Sequence, residues 1–352
     1  MDALSLTIND SLLKIKEFVK YEIVSRILQF SILDKLMRIN PIVPYYHIVS
    51  DEEVLHVKYI YDYKNITQFK DDIDFLLKHY SPISLFDLLG FLKTGRSLPE
   101  KAFLLTFDDG FREMYDIVAP VLLQKGISAT FFINSDFIDN KTLCYQHKVS
   151  ILAEHIQKTI SVRGKKEIQA MLLKNGIECN DIKSGILSIK YHQKDLPDKI
   201  ARLMNVDFDD YLLRVKPYLT SNQIEILIKQ GFSIGAHSID HPLYSLLTLK
   251  EQVNQTIESM KFIRRKFCLN YGAFAFPHSD SGVTRQYFTQ ISDGGLVDIS
   301  FGTGGMIKDT IPNHIQRFSL EKPVRPAKKI VAYQYARKLV RQVRGTDKIV
   351  RA

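Results

Sequence analysis

Phe103-Leu104-Leu105-Thr106-Phe107-Asp108-Asp109-Gly110 is the stretch on which the reading of this chain turns. Four apolar residues and one threonine run without the alternation of a half-exposed strand, the pattern of a strand buried on both faces. The run ends abruptly in two carboxylates and a glycine. Helical spacing then resumes through Tyr115, Val118 and Leu122 and stops at Gly126, and Ile127–Ile133 reads as the next strand. This strand–helix–strand order is a parallel β/α unit.

The unit recurs. Thr220-Ser221-Asn222-Gln223 has the spacing of a capping box, Leu227 and Ile228 supply an apolar face, and Gly231 ends the helix. Phe232–Ala236 is a strand running into His237. Tyr271–Phe276 is another, ending at Pro277-His278, and Leu296–Phe301 is a further one. Upstream, Ile42–Val49 reads as a strand carrying Tyr46 and His47, followed by a helix around Phe69–His79. The polar residues at these strand ends fall on the carboxyl edge of a parallel sheet, where α/β folds assemble their sites.

Three segments stand outside this pattern. Residues 1–40 read as amphipathic helices that precede an α/β body spanning 41–320. Residues 139–216 are charged and helix-favouring, with no buried strand, and read as a helical insertion between two strands. Residues 321–352 form a basic tail: ten Lys/Arg against Glu321 and Asp347 account for eight of the nine net positive charges in 352 residues. The remaining body is nearly neutral, which argues against a nucleic-acid-binding surface. Ala332, Ala336, Leu339, Val340 and Val343 make an apolar stripe along the tail, so contact with an anionic membrane is one reading and packing on the body the other.

The three cysteines show no CxxC spacing, and Lys14, Lys16, Glu17, Lys20 and Glu22 interrupt the first 40 residues. No apolar run reaches the ~18 residues a spanning helix requires. The chain reads as cytoplasmic, with a peripheral position at the inner membrane as the extension of the tail argument.

Adjacent carboxylates at a strand end can divide labour beside a cation: one binds the ion and the other remains a free base. Asp-Asp-Gly is also ordinary turn chemistry. In Ala236-His237-Ser238-Ile239-Asp240-His241-Pro242, two imidazoles four residues apart would share one side of a helical turn and could chelate one ion. An Asp/His/His set leaves positions open for water.

Together and in this order, Thr106-Phe107-Asp108-Asp109-Gly110 and His237-Ser238-Ile239-Asp240-His241-Pro242 resemble the polysaccharide deacetylase family (the NodB homology domain, carbohydrate esterase family 4). The resemblance spans roughly 42–320, apart from the insertion. It implies a distorted (β/α)7 barrel, with the helical insertion and terminal helices as additions, and hydrolysis of N-acetyl groups of a carbohydrate. By correspondence Asp108 is the catalytic base, and Asp109, His237 and His241 are the metal ligands. Zn²⁺ is the default for such a set, and Co²⁺, Ni²⁺ or Fe²⁺ suit similar ligands.

The second half of the pattern departs from the family. Phe274-Ala275-Phe276-Pro277-His278-Ser279-Asp280 lacks the arginine that usually orients the catalytic aspartate, leaving Arg317 as its candidate replacement. For the general acid, His278 at a strand end is preferred over His314. His47 is a site residue or a packed core histidine, and His147 reads as a surface residue at the start of the insertion. The expected substrate is an N-acylated amino sugar in a glycan or lipid-linked precursor. Rival readings are a deformylase of a lipid-linked sugar and a catalytically inactive glycan-binding relative.

Overall fold

The computed structural model describes residues 39–156 and 161–352; the helices expected in 1–38 lie outside them. Eight strands form one parallel sheet: β1 Pro44–Tyr46, β2 Leu105–Phe107, β3 Ala129–Ile133, β4 Ser233–Ala236, β5 Ala273–Ala275, β6 Ile299–Gly302, β7 His314–Gln316 and β8 Phe318–Ser319. Their order across the sheet is β7-β6-β5-β4-β3-β2-β1-β8. The two ends of this order are consecutive in the chain. His314–Gln316 pairs with Ser300–Gly302, and one residue later Phe318 and Ser319 pair with Pro44 and Tyr45. A single strand, bent at Arg317, therefore closes the sheet into a distorted seven-membered barrel.

The sequence dictates two layers. Tyr46, Phe107 and Phe131 point outward and meet Phe69, Ile73 and Leu76 of helix α1 (Ile66–His79), together with Val118 and Leu122. The intervening residues point into the barrel, where Tyr45, Thr106, Phe132 and Phe301 surround the Arg317 guanidinium. Alternation along each strand thus separates an apolar outer core from an interior built around one cation. The expected capping box opens helix α2 (Ser221–Lys229): Thr220 Oγ1 accepts from Gln223 N, and Gln223 Oε1 accepts from Thr220 N.

Between β3 and β4 the described elements of 139–216 are helices, among them Ile182–Leu187, which the sequence reading did not single out. Ile151, Leu152, Ile168, Leu172 and Ile200 gather them around a core of their own. Helix α3 (Ala327–Val343) carries the tail stripe, and Ala332 and Ala336 are buried with Ile330, Val331 and Tyr335 against the barrel. Most of the stripe is thus internal packing; Val340 and Val343 remain exposed. Beyond it, Lys348–Ile349 pairs with Lys308–Asp309. Among the described residues no helix is long and apolar enough to cross a membrane.

Candidate functional site

The strand ends converge on one cavity of about 350 Å³, whose wall includes Tyr45, His47, Tyr61, Asp108, Asp109, Gln146, His147, His241, Phe276, His278 and Thr303. Asp108 follows β2 directly and is held by two parallel bonds from Arg317, Nη1 to Oδ1 and Nη2 to Oδ2, both 2.8 Å. Both residues are buried, and Arg317 Nη1 also donates to Thr106 Oγ1. Burial by itself would raise the Asp108 carboxyl. The guanidinium, joined by His237, outweighs it and holds the group below the usual carboxylate range. The arginine beside Asp108 thus comes from the closing strand rather than from β5.

Asp109 turns the other way because its backbone is left-handed, with φ of 74°, as is that of Gly110 at 70°. A side chain at 110 would put its Cβ 3.0 Å from Ile133 Cγ2, so glycine answers both the dihedral and the space. Asp109 Oδ1 faces His237 Nε2 at 3.4 Å and His241 Nε2 at 3.1 Å. His237 follows β4 and donates from Nδ1 to Ala275 O at 2.8 Å, which fixes its tautomer and leaves Nε2 as an acceptor.

The two histidines do not share a helical turn, contrary to expectation. The segment 237–241 is irregular, with φ of 73° at Ser238 and 65° at His241. Ser238 Oγ accepts from His241 N, while Ser135 N and Asp136 N donate to Ser238 O and Ile239 O. A pinned loop, rather than helical periodicity, brings the second ring over the first. Asp109, His241 and His278 of the cavity wall, and Ser238 in the loop behind it, hold left-handed backbones. Such conformations cost of order 1–3 kcal/mol each and persist where surrounding contacts enforce them.

Asp109 Oδ1, His237 Nε2 and His241 Nε2 are buried, lie within 4.8 Å of one another and have no hydrogen-bond partner within the protein. Three converging acceptor-type atoms left unsatisfied are costly unless something positive sits among them. Two imidazoles and a carboxylate are a donor set for a divalent transition metal. The residues fit the cation that the sequence implied.

The candidates for proton donor separate. His278 is in the cavity wall, with its ring 4.4 Å from that of His241. Burial, reinforced by His241, pushes it down to about 3. His314 is not in the cavity. It is buried behind it, bonded through Nδ1 to Ser300 Oγ and through Nε2 to Asp280 Oδ2, because its position on β7 turns it away from the strand ends. Asp280 is also bonded by Gln316 and Arg351, so that second Asp/His group already holds an organic cation. His147 is buried in the cavity wall rather than on the surface, 2.5 Å from Tyr218 OH.

His47 is the ring that changes most. Its Nδ1 is 2.6 Å from Glu321 Oε2, and its ring stacks on Tyr61. Burial disfavours the charged imidazole, but Glu321 and Asp109 overcome it and raise the group to about 9. Glu321 gave no signal in the sequence, standing at the start of the basic tail. Tyr61, which donates to Asp109 Oδ2 at 3.2 Å, and Gln146, 3.3 Å from His241 Nδ1, were also illegible. Tyr61 comes from the β1–α1 connection and Gln146 from the first turn of the insertion helix Tyr145–His155, and only the folded chain brings them to the rim.

Fold and site together define a parallel α/β barrel with a carboxylate–imidazole centre at its carboxyl edge. Residues 95–181 match the family model described as polysaccharide deacetylase, a span that contains Asp108 and Asp109 and ends before His237. Over that span the chain is similar to polysaccharide deacetylases. The fold is similar to that of Streptococcus pyogenes deacetylase PplD (13% identity, 84% of this chain and 99% of that one, TM-score 0.54). It is similar too to IcaB from Ammonifex degensii (15%, 84% and 96%, 0.52) and a de-N-acetylase from Aggregatibacter actinomycetemcomitans (14%, 83% and 99%, 0.52). No curated protein sequence matches the chain.

Proposed function

We propose that the chain is a metal-dependent hydrolase that removes N-acetyl groups from an amino-sugar carbohydrate. The observation that carries this is the pairing of two differently treated carboxylates: Asp108 locked by Arg317, and Asp109 facing two unsatisfied imidazole nitrogens. A binding module has no need of an ionised carboxylate beside a cation site, which weighs against the inactive-relative reading.

Asp109, His237 and His241 would hold the ion. Bound there, a divalent cation would supply a water of lowered pKa and polarise the acyl carbonyl. Asp108, kept ionised by Arg317, accepts the proton of the attacking water. Arg317 also fixes the direction in which that carboxylate can take it. The amine leaves poorly as an anion, so the collapsing intermediate needs a proton. His47 is the better donor than His278: Glu321 holds its Nδ1 and keeps the ring protonated through neutral pH, while Nε2 remains for the cavity. His278, neutral over the same range, suits a hydrogen bond to the substrate.

The test is acetate release from N-acetylated amino sugars by protein loaded with defined metals, with Asp108→Asn as the control. Release by wild type and its loss in the variant support the reading. Undiminished release by the variant contradicts the role of Asp108.

A further inference from the structure

The cavity is lined both by barrel strand ends and by segments outside the barrel. Barrel strand ends supply its floor with Asp108, Asp109, Phe276 and His278. The facing wall comes from two segments far apart in sequence: Ile60 and Tyr61 of the β1–α1 connection, and Cys144, Gln146 and His147 of the insertion.

These two segments are braced against each other. Ser150 Oγ donates to Leu55 O at 2.7 Å and accepts from Tyr59 N at 3.3 Å. Tyr59 OH donates to Glu154 Oε2 at 2.7 Å and accepts from Lys183 Nζ at 3.0 Å, and the same ammonium lies 4.1 Å from the centre of the Tyr59 ring. His56 Nδ1 pairs with Tyr211 OH at 3.0 Å, and Val54 and Val57 are buried in the apolar core of the insertion. The roof is also bonded to the floor, through Tyr61 to Asp109 and Gln146 to His241. Apolar burial and cross-bracing bonds make it one packed body rather than two independent flaps.

An enzyme that works on an internal residue must leave room for sugar rings on both sides of the reacting one. Here the cavity measures about 350 Å³, at the lower end of the ~300–1,000 Å³ of small-molecule sites and room for roughly one acylated sugar ring. We propose, resting on the deacetylase reading above, that the site takes a single acylated amino sugar or the terminal residue of a chain, entering end-on. Internal residues of a long glycan are excluded by the braced roof.

The experiment incubates metal-loaded wild type with N-acetylglucosamine and with its linear β-1,4-linked pentamer, and maps the lost acetyl groups by tandem mass spectrometry. The expected products are the deacetylated monomer and a pentamer opened at an end residue, at least about ten-fold faster than at internal ones. Acetyl loss spread over internal residues at comparable rates overturns the proposal and leaves the deacetylase reading standing. No acetate from either substrate, or from the N-acetylgalactosamine equivalents, counts against the deacetylase reading itself, and the size restriction falls with it. The double variant Ser150→Ala with Tyr59→Phe removes the hydrogen bonds of the Ser150 and Tyr59 hydroxyls and so loosens the brace, leaving the floor and the apolar contacts of Val54 and Val57 in place. It should keep monomer turnover and raise internal deacetylation about ten-fold. A folded double variant with the wild-type product pattern overturns the role of the brace; if it does not fold, the wild-type map decides alone.

Discussion

Two carboxylates adjacent in sequence meet opposite electrostatic surroundings, and their division of labour follows from that. Asp108 sits between two guanidinium nitrogens, and Asp109 faces imidazoles. Asp108→Asn keeps the shape and loses the proton acceptor, so kcat should fall by about 10²–10⁴ with metal content unchanged, checked by steady-state kinetics and metal analysis. His47 yields a prediction with a definite sign. The donor must be protonated, so activity should decline as pH rises through about 9. Glu321→Gln removes the charge that most raises the ring, so the alkaline limb of the kcat profile should move to lower pH. An unmoved limb would exclude His47 as the titrating donor. The motif residues Asp108, Asp109 and His237 were legible because they follow directly on strands whose apolar runs can be read, and His241 because it lies four residues beyond His237. Glu321 and Tyr61 were not, since nothing in their neighbours marks them as facing the site.

At the scale of elements, the closing strand does the most. Its bend at Arg317 lets one segment pair with β6 and then with β1, and the bend residue is a cation wholly inside the barrel. A buried arginine is tolerable because Asp108 takes two bonds from it and three aromatic rings surround it. Arg317→Met should cost about 3–5 kcal/mol of stability by leaving Asp108 as an uncompensated buried charge, measured by denaturant unfolding. It should lower kcat as well, and loss of neither would contradict the pairing. The bend left no signal in the sequence, because pairing first with β6 and then with β1, strands far apart in the chain, imposes no local periodicity. The His237–His241 loop was misread for a related reason. Four-residue spacing suggests a helix, yet Ser238 and the β3–β4 loop impose left-handed turns that spacing alone does not reveal.

Across the whole molecule, appended segments complete what the barrel begins. The insertion roofs the cavity, and the tail helix covers the barrel's outer core. The tail is anchored by a buried group in which Asp72 takes bonds from Lys64, Tyr46 and Ala327 N. Asp72→Ala strands the Lys64 ammonium, and a loss of about 3–5 kcal/mol in denaturant unfolding is expected. The apolar stripe of the basic tail looked ambiguous in the sequence because a helix packed on its own barrel and one lying on a lipid surface share the same amphipathic pattern. Removing the ion should also register globally. Chelated protein should melt below reloaded protein, by about 2.7 kcal/mol at a free-metal concentration a hundred times Kd. The most direct measurement is acetate release, with metal content determined on the same samples, for wild type, Asp108→Asn and Asp109→Ala. One metal per chain in wild type and Asp108→Asn, none in Asp109→Ala, and acetate from wild type alone is the predicted result; acetate from either variant at the wild-type rate would contradict it.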